Sequence, residues 1–116
     1  MRNFRNYDIW KDSMLLAKNV CHHTRIFPQY SAIINQIQRS AISIPSNIAE
    51  GAARKSNKEY IQFLYIALGS AAELETQLIV SKNLNFIDDK SFDLLVKERD
   101  EIAQMLFGLI RYRKSL

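Results

Sequence analysis

Residues 31–51 read Ser-Ala-Ile-Ile-Asn-Gln-Ile-Gln-Arg-Ser-Ala-Ile-Ser-Ile-Pro-Ser-Asn-Ile-Ala-Glu-Gly. Ile34, Ile37, Ala41, Ile44 and Ile48 recur at heptad-like spacing, the pattern of a helix that hides one stripe against neighbouring helices. Ser31 opens this segment. Pro45 lies inside it and cannot donate to the carbonyl of Ala41, so a kink is expected there. A break between Ile44 and Pro45 is the alternative, but the stripe stays in phase through Ile48, which favours one kinked helix. Gly51 is expected to end the segment.

The same reading extends outward to three more helices. Upstream, Asp8 to about Thr24 carries Trp10, Met14, Ala17, Cys21 and Thr24 at 4-3-4-3 spacing, with Ile9, Leu16 and Val20 widening the stripe. Phe27-Pro28 closes it, because the residue before proline is pushed out of the α region. Downstream, Ser56-Asn57-Lys58-Glu59 forms a capping box. Tyr60, Leu64, Ala67, Ala71, Leu74 and Leu78 then form an inward stripe, and Gly69, Ser70, Ala71 and Ala72 suggest a close helix approach. The last helix starts at Asp88 or Asp89 and runs to about Arg113 on Phe92, Leu95, Ile102, Leu106 and Leu109. Three short connections between long helices make sequential neighbours antiparallel. The expectation is one all-α domain over residues 1–116, an up-down-up-down antiparallel four-helix bundle.

Bulk composition agrees. The chain has 116 residues with 47% hydrophobic and 24% charged, 3 Gly and 2 Pro. Turn-rich β folds need more of both breakers. One cysteine, Cys21, excludes an intrachain disulfide. No secretory leader is read after Met1, and no apolar run is read as approaching the roughly 20 residues needed to span a bilayer, so a cytoplasmic location is expected.

Little in the sequence can do chemistry. Cys21-His22-His23 are adjacent, and adjacent helical positions point about 100° apart, so they do not converge on a metal. Glu73 and Glu75 are two apart and face different sides. Glu50 and Arg54, four apart, read as a buried ion pair. Residues 51–56 lack phosphate-loop spacing, and Cys21, placed in the apolar stripe, reads as an inert core thiol. No cofactor, metal or catalytic residue is expected.

Charge is unevenly placed. The formal net charge is +4. The expected topology brings the N-terminus, the turn after the second helix and the C-terminus to one end. That end collects Arg2, Arg5, Arg54, Lys55, Lys58, Arg111, Arg113 and Lys114, eight of sixteen basic residues. The acids expected there are Asp8, Glu50 and Glu59. Helix-dipole complementation explains the cations at the ends of the second and fourth helices but not Arg2, Arg5 or Lys58. With Phe4, Tyr7 and Tyr112 nearby, the end is a candidate surface for RNA or DNA phosphates. Phe63, Tyr65, Ile66, Ile79, Phe86 and Phe107 exceed what four inward faces need, which points to an oligomer interface or a protein partner.

One run carries a family resemblance: Ser43-Ile44-Pro45-Ser46-Asn47-Ile48-Ala49-Glu50-Gly51, then Arg54, Ser56, Glu59, Phe63-Leu64, Ile66-Ala67, Gly69-Ser70 and Glu73-Leu74-Glu75-Thr76. Phe4, Trp10, Thr24, Phe27-Pro28 and Gln36 extend it. The chain resembles the four-helix-bundle family encoded in intervening sequences of bacterial 23S rRNA genes. That resemblance implies a bacterial, cytoplasmic homopentamer with no established enzymatic activity. A related branch is similar to the accessory bundles of diversity-generating retroelements, which partner a reverse transcriptase and nucleic acid. Within the motif, Pro45 and Gly51 are assigned to backbone geometry, Ser56 and Glu59 to capping, and Glu50 with Arg54 to an ion pair or inter-subunit contact. Ser46 and Asn47 complete the motif. Two departures stand out: Gln38-Arg39 replaces a pair of arginines, and Cys21 stands at a position where an aromatic is usual.

Overall fold

A computed structural model describes residues 3–29 and 31–116. After a short 3-10 turn at Phe4–Asn6 come four helices: α1 Asp8–Thr24, α2 Ala32–Ala52, α3 Asn57–Asn83 and α4 Asp89–Lys114. Each packs on its neighbours in sequence, and α4 returns to α1. The result is an all-α four-helix bundle measuring 45 × 21 × 21 Å. No strand occurs among the described residues.

Caps set the helix ends. Ser56 Oγ accepts the Glu59 N–H at 3.1 Å and donates to the Glu59 carboxylate at 3.1 Å, so Glu59 takes a hydroxyl rather than the expected backbone donor. Asp88, not Asp89, caps α4 by accepting the Ser91 N–H at 2.7 Å. Tyr7 rather than Asp8 holds the N-cap position of α1, and Ser31 caps α2 without a side-chain hydrogen bond. Asn85, at φ 60°, ends α3 in the left-handed region that asparagine tolerates.

The α2 and α3 stripes are where the sequence puts them. Ile37, Ala41, Ile44 and Ile48 are buried, and so are all six expected residues of α3. Helix α2 continues through a buried Pro45 as one element, so the two-helix alternative does not hold. It also continues past Gly51 to Ala52. Gly51 is therefore not a stop: a Cβ there would lie 2.8 Å from Phe63 Cβ and 3.2 Å from the Tyr60 carbonyl oxygen. Gly69, by contrast, is exposed and has open space beside it, so it is not the close-approach point of α3.

Helix α1 is rotated from the expected phase. Its buried face is Ile9, Ser13, Leu16, Ala17, Val20 and Thr24. Met14 is 44% exposed, and Trp10 and Cys21 are half-buried. The true stripe passes through Ser13 and Thr24 because their hydroxyls donate to the Trp10 and Val20 carbonyls, at 2.9 and 2.8 Å, and so enter the core satisfied. Phe86 corrects another expectation: it closes the far end against Phe27, with ring centroids 5.5 Å apart.

Helix α3 alone among the described residues is long and apolar enough, by length and composition, to cross a membrane. The expectation that no segment approaches that threshold is corrected. Its buried stripe makes it the core helix of the bundle, yet Tyr65, Ile66, Ile79 and Val80 remain 40–50% exposed on its outer side. A helix apolar all round normally has neighbours on every side.

Candidate nucleic-acid interface

Antiparallel packing gathers the cations as the topology requires. The C-terminus of α4 is tied to the start of α3 by Asn57, whose Nδ2 donates to the Arg113 carbonyl at 2.7 Å. Arg5, Arg54, Lys55, Lys58, Arg111, Arg113 and Lys114 therefore share one end of the bundle. Arg2 lies outside the described residues.

Several of these cations rest on aromatic faces. The Arg113 guanidinium sits 4.6 Å from the Tyr60 ring centroid, Arg54 sits 4.8 Å from Phe63, Lys114 sits 5.1 Å from Tyr65, and Arg5 sits 5.1 Å from Phe4. Such contacts hold long side chains in place without neutralising them. Arg54 also meets Glu50 at 2.7 Å, but side-chain exposures of 42% and 53% make this a surface pair, not the buried one expected. Lys55, Lys58 and Arg111 are exposed. Of the aromatics expected to stack bases, Tyr112 is open at 59% exposure. Phe4 instead packs edge-on against Trp10, with centroids 5.3 Å apart. Tyr7 borders a cavity of about 530 Å³ with Tyr60, Met105, Gly108 and Arg113.

The motif residues serve several ends. Pro45 and Gly51 are packed inside, and Ser46 is exposed on the rim of the α1–α2 groove. Asn47 Nδ2 donates to the Ser43 carbonyl at 2.8 Å and to Ser43 Oγ at 2.9 Å. Ser43 in turn bonds Ser70 of α3 at 2.8 Å. This polar link between α2 and α3 escaped the sequence reading. Its signal was present: Gln36, Ser40, Ser43 and Asn47 follow one another at helical spacing, as do Ser70, Glu73 and Gln77.

Helix α1 contributes an apolar groove of about 500 Å³ facing α2, bordered by Trp10, Met14, Cys21, Ile42 and Pro45. Cys21 is thus a groove residue rather than a core residue. Burial pushes its thiol pKa up from the ordinary value, which disfavours the reactive thiolate. His22 and His23 meet edge-on. Among the described residues no group of three or more His, Cys, Asp or Glu is arranged to hold a metal.

A family model described as "23S rRNA-intervening sequence protein" matches residues 5–108. The chain belongs to this family. A solved relative of the intervening-sequence protein is a protein of unknown function from Bacteroides thetaiotaomicron VPI-5482, assigned to the S23 ribosomal protein family. It superposes with a TM-score of 0.83 at 25% identity, covering 88% of this chain and 97% of its own. Search of the curated proteins finds no match. The family description names no activity, and the solved relative is of unknown function.

Proposed function

We propose that this intervening-sequence protein is a non-enzymatic, self-associating scaffold that holds RNA or DNA phosphates on its cationic end. One observation carries the reading: seven described basic residues from four segments converge there, with three acids, one of them already paired with Arg54. Cations braced on rings present charge at low entropic cost, which suits a polyanion. The retroelement accessory bundles that a related branch resembles support the same idea by analogy.

Fluorescence anisotropy of single-stranded RNA across a salt series tests it. Lys55, Lys58 and Arg111 changed together to glutamine is the informative variant, because these side chains brace no ring among the described residues. Affinity should fall steeply with salt, with a slope of about −0.7 per phosphate contact, and the variant should lose roughly two such contacts. Salt-insensitive binding, or none, removes the nucleic-acid role.

A purely protein-binding scaffold is the second reading, favoured by exposed apolar residues on opposite flanks. Met14 and Ile42 lie on the α1–α2 side, and Tyr65 and Phe107, 45% and 54% exposed, lie on the α3–α4 side. Two unlike apolar flanks suit head-to-tail assembly, and a closed ring such as a pentamer satisfies both.

A further inference from the structure

The polar residues of the central motif that the cationic end does not use meet elsewhere. Gln36, Arg39, Ser40 and Ser43 of α2 face Ser70, Glu73 and Gln77 of α3 across an open cleft of about 330 Å³. Arg39 and Glu73 stand exposed on opposite rims, and neither forms an ion pair among the described residues.

The hydrogen-bond directions define what the cleft lacks. Ser40 donates to the Gln36 carbonyl and Ser70 to the Ile66 carbonyl, at 3.0 and 3.1 Å. Ser43 and Ser70 share a hydrogen bond of 2.8 Å in which either hydroxyl can donate. At least two of the three serine protons are therefore committed within the protein, and the serine floor offers mainly lone pairs. The exposed Glu73 carboxylate adds acceptors on the α3 side, while Arg39 is a strong donor on the α2 side. A complementary ligand is planar, with several N–H groups along one edge and acceptors beside them. Guanine has that pattern, with N1–H and the N2 amino group next to O6 and N7. Adenine and cytosine offer only an amino group on that edge, and uracil offers a single N–H.

We propose that this cleft is a guanine-selective subsite for an unstacked base of single-stranded RNA. The Glu73 carboxylate accepts from N1 and N2, and Arg39 donates to O6 and N7. Ser43 lies eleven residues before Arg54 on the chain, roughly 16 Å along a helix axis, so a short strand held at the cationic end reaches it. The inference rests on the nucleic-acid reading above, and the two fail differently.

The test compares single-stranded RNA decamers that differ only in central guanosines, inosines or adenosines, across a salt series with affinities compared at matched salt. Guanosine strands should bind about tenfold more tightly than adenosine strands, with inosine between because it lacks the N2 amino group. Glu73→Gln and Arg39→Gln alter exposed rim residues, and their melting curves should match the parent. Each should reduce the guanosine preference below about twofold while leaving the salt slope unchanged. Equal affinity for all three strands overturns the subsite and leaves the cationic end standing, as does a preference that survives Glu73→Gln. If no strand binds, calorimetric titration with guanosine monophosphate decides: heat lost in Glu73→Gln supports the cleft, and no heat overturns it. Sedimentation is measured alongside, and an assembly that falls apart in Glu73→Gln also overturns the subsite, by making the cleft a subunit contact.

Discussion

Gly51 of α2 faces Phe63 of α3 so closely that a Cβ on the glycine would lie 2.8 Å from the Cβ of the phenylalanine. Both atoms are fixed directly to backbone, so neither can swing aside. Gly51→Ala should therefore force the helices apart and destabilise the protein by about 1–2 kcal/mol, net of alanine's better helix propensity. Gly69→Ala is the matched control, because open space lies beside it. It should stabilise by about 0.5–1 kcal/mol. Urea unfolding of the two variants should give shifts of opposite sign.

Arg99 joins α3 to α4. Its guanidinium contacts Glu75 at 3.2 Å, bonds Asp100, and donates to the Ala71 carbonyl at 3.3 Å, with the side chain only 13% exposed. Both carboxylates are over two-fifths exposed, so solvent screens much of the charge attraction. Arg99→Met keeps most of the packing and should cost about 1–2 kcal/mol, chiefly for lost hydrogen bonds. A midpoint unchanged in thermal melts would show that the clamp is not structural.

The Asp88 cap gives stability a pH dependence. The Ser91 backbone N–H lowers the Asp88 pKa below its ordinary value, with the Ser91 side chain and nearby cations acting in the same direction. A lowered folded-state pKa means the carboxylate's contribution is present above the ordinary aspartate range and is lost as pH falls through the folded value. Asp88→Ala should thus lower the melting temperature at neutral pH. Its deficit relative to the parent should shrink progressively in acid, and a deficit independent of pH would refute the cap's role.

Self-association through unlike flanks makes a mixing prediction. Met14→Glu should block the α1–α2 groove and Phe107→Glu the α3–α4 flank, leaving each variant small by sedimentation. Mixed one to one, they should form a heterodimer, since each retains the surface that the other lacks. Rescue would fail if the interface paired a flank with itself.

Periodicity made α2 legible because it has one dominant apolar stripe, and the six buried positions of α3 were read although apolar residues also line its outer side. Helix α1 has two: Ile9-Leu16-Val20 and Trp10-Met14-Cys21 are both apolar, and only the surrounding helices decide which turns inward. The polar letter at Ser13 disguised the buried stripe, since a hydroxyl bonded within its own helix behaves as a small core group. Gly51 and Gly69 look alike in a string of letters, and only the neighbouring chain distinguishes contact from open space. The cationic end could be read because short connections fix which termini are adjacent. That Arg54 and Arg113 would lie on Phe63 and Tyr60 could not, nor could the facing of the two polar stripes that form the Arg39–Glu73 cleft, because both depend on how α2, α3 and α4 are rotated about their axes.

The contact between α2 and α3 is the most extensive in the bundle, and only residues 53–56 connect the two helices. A short connection makes the entropic cost of closing this hairpin small, and its seam rewards closure early. The expected order of events is a nucleus of α2 and α3 onto which α1 and α4 dock later. Substitutions along the Gly51–Phe63 contact would then slow folding, while those at Arg99 would chiefly hasten unfolding. The motif that marks the family would in that case also govern how quickly a nascent chain escapes aggregation.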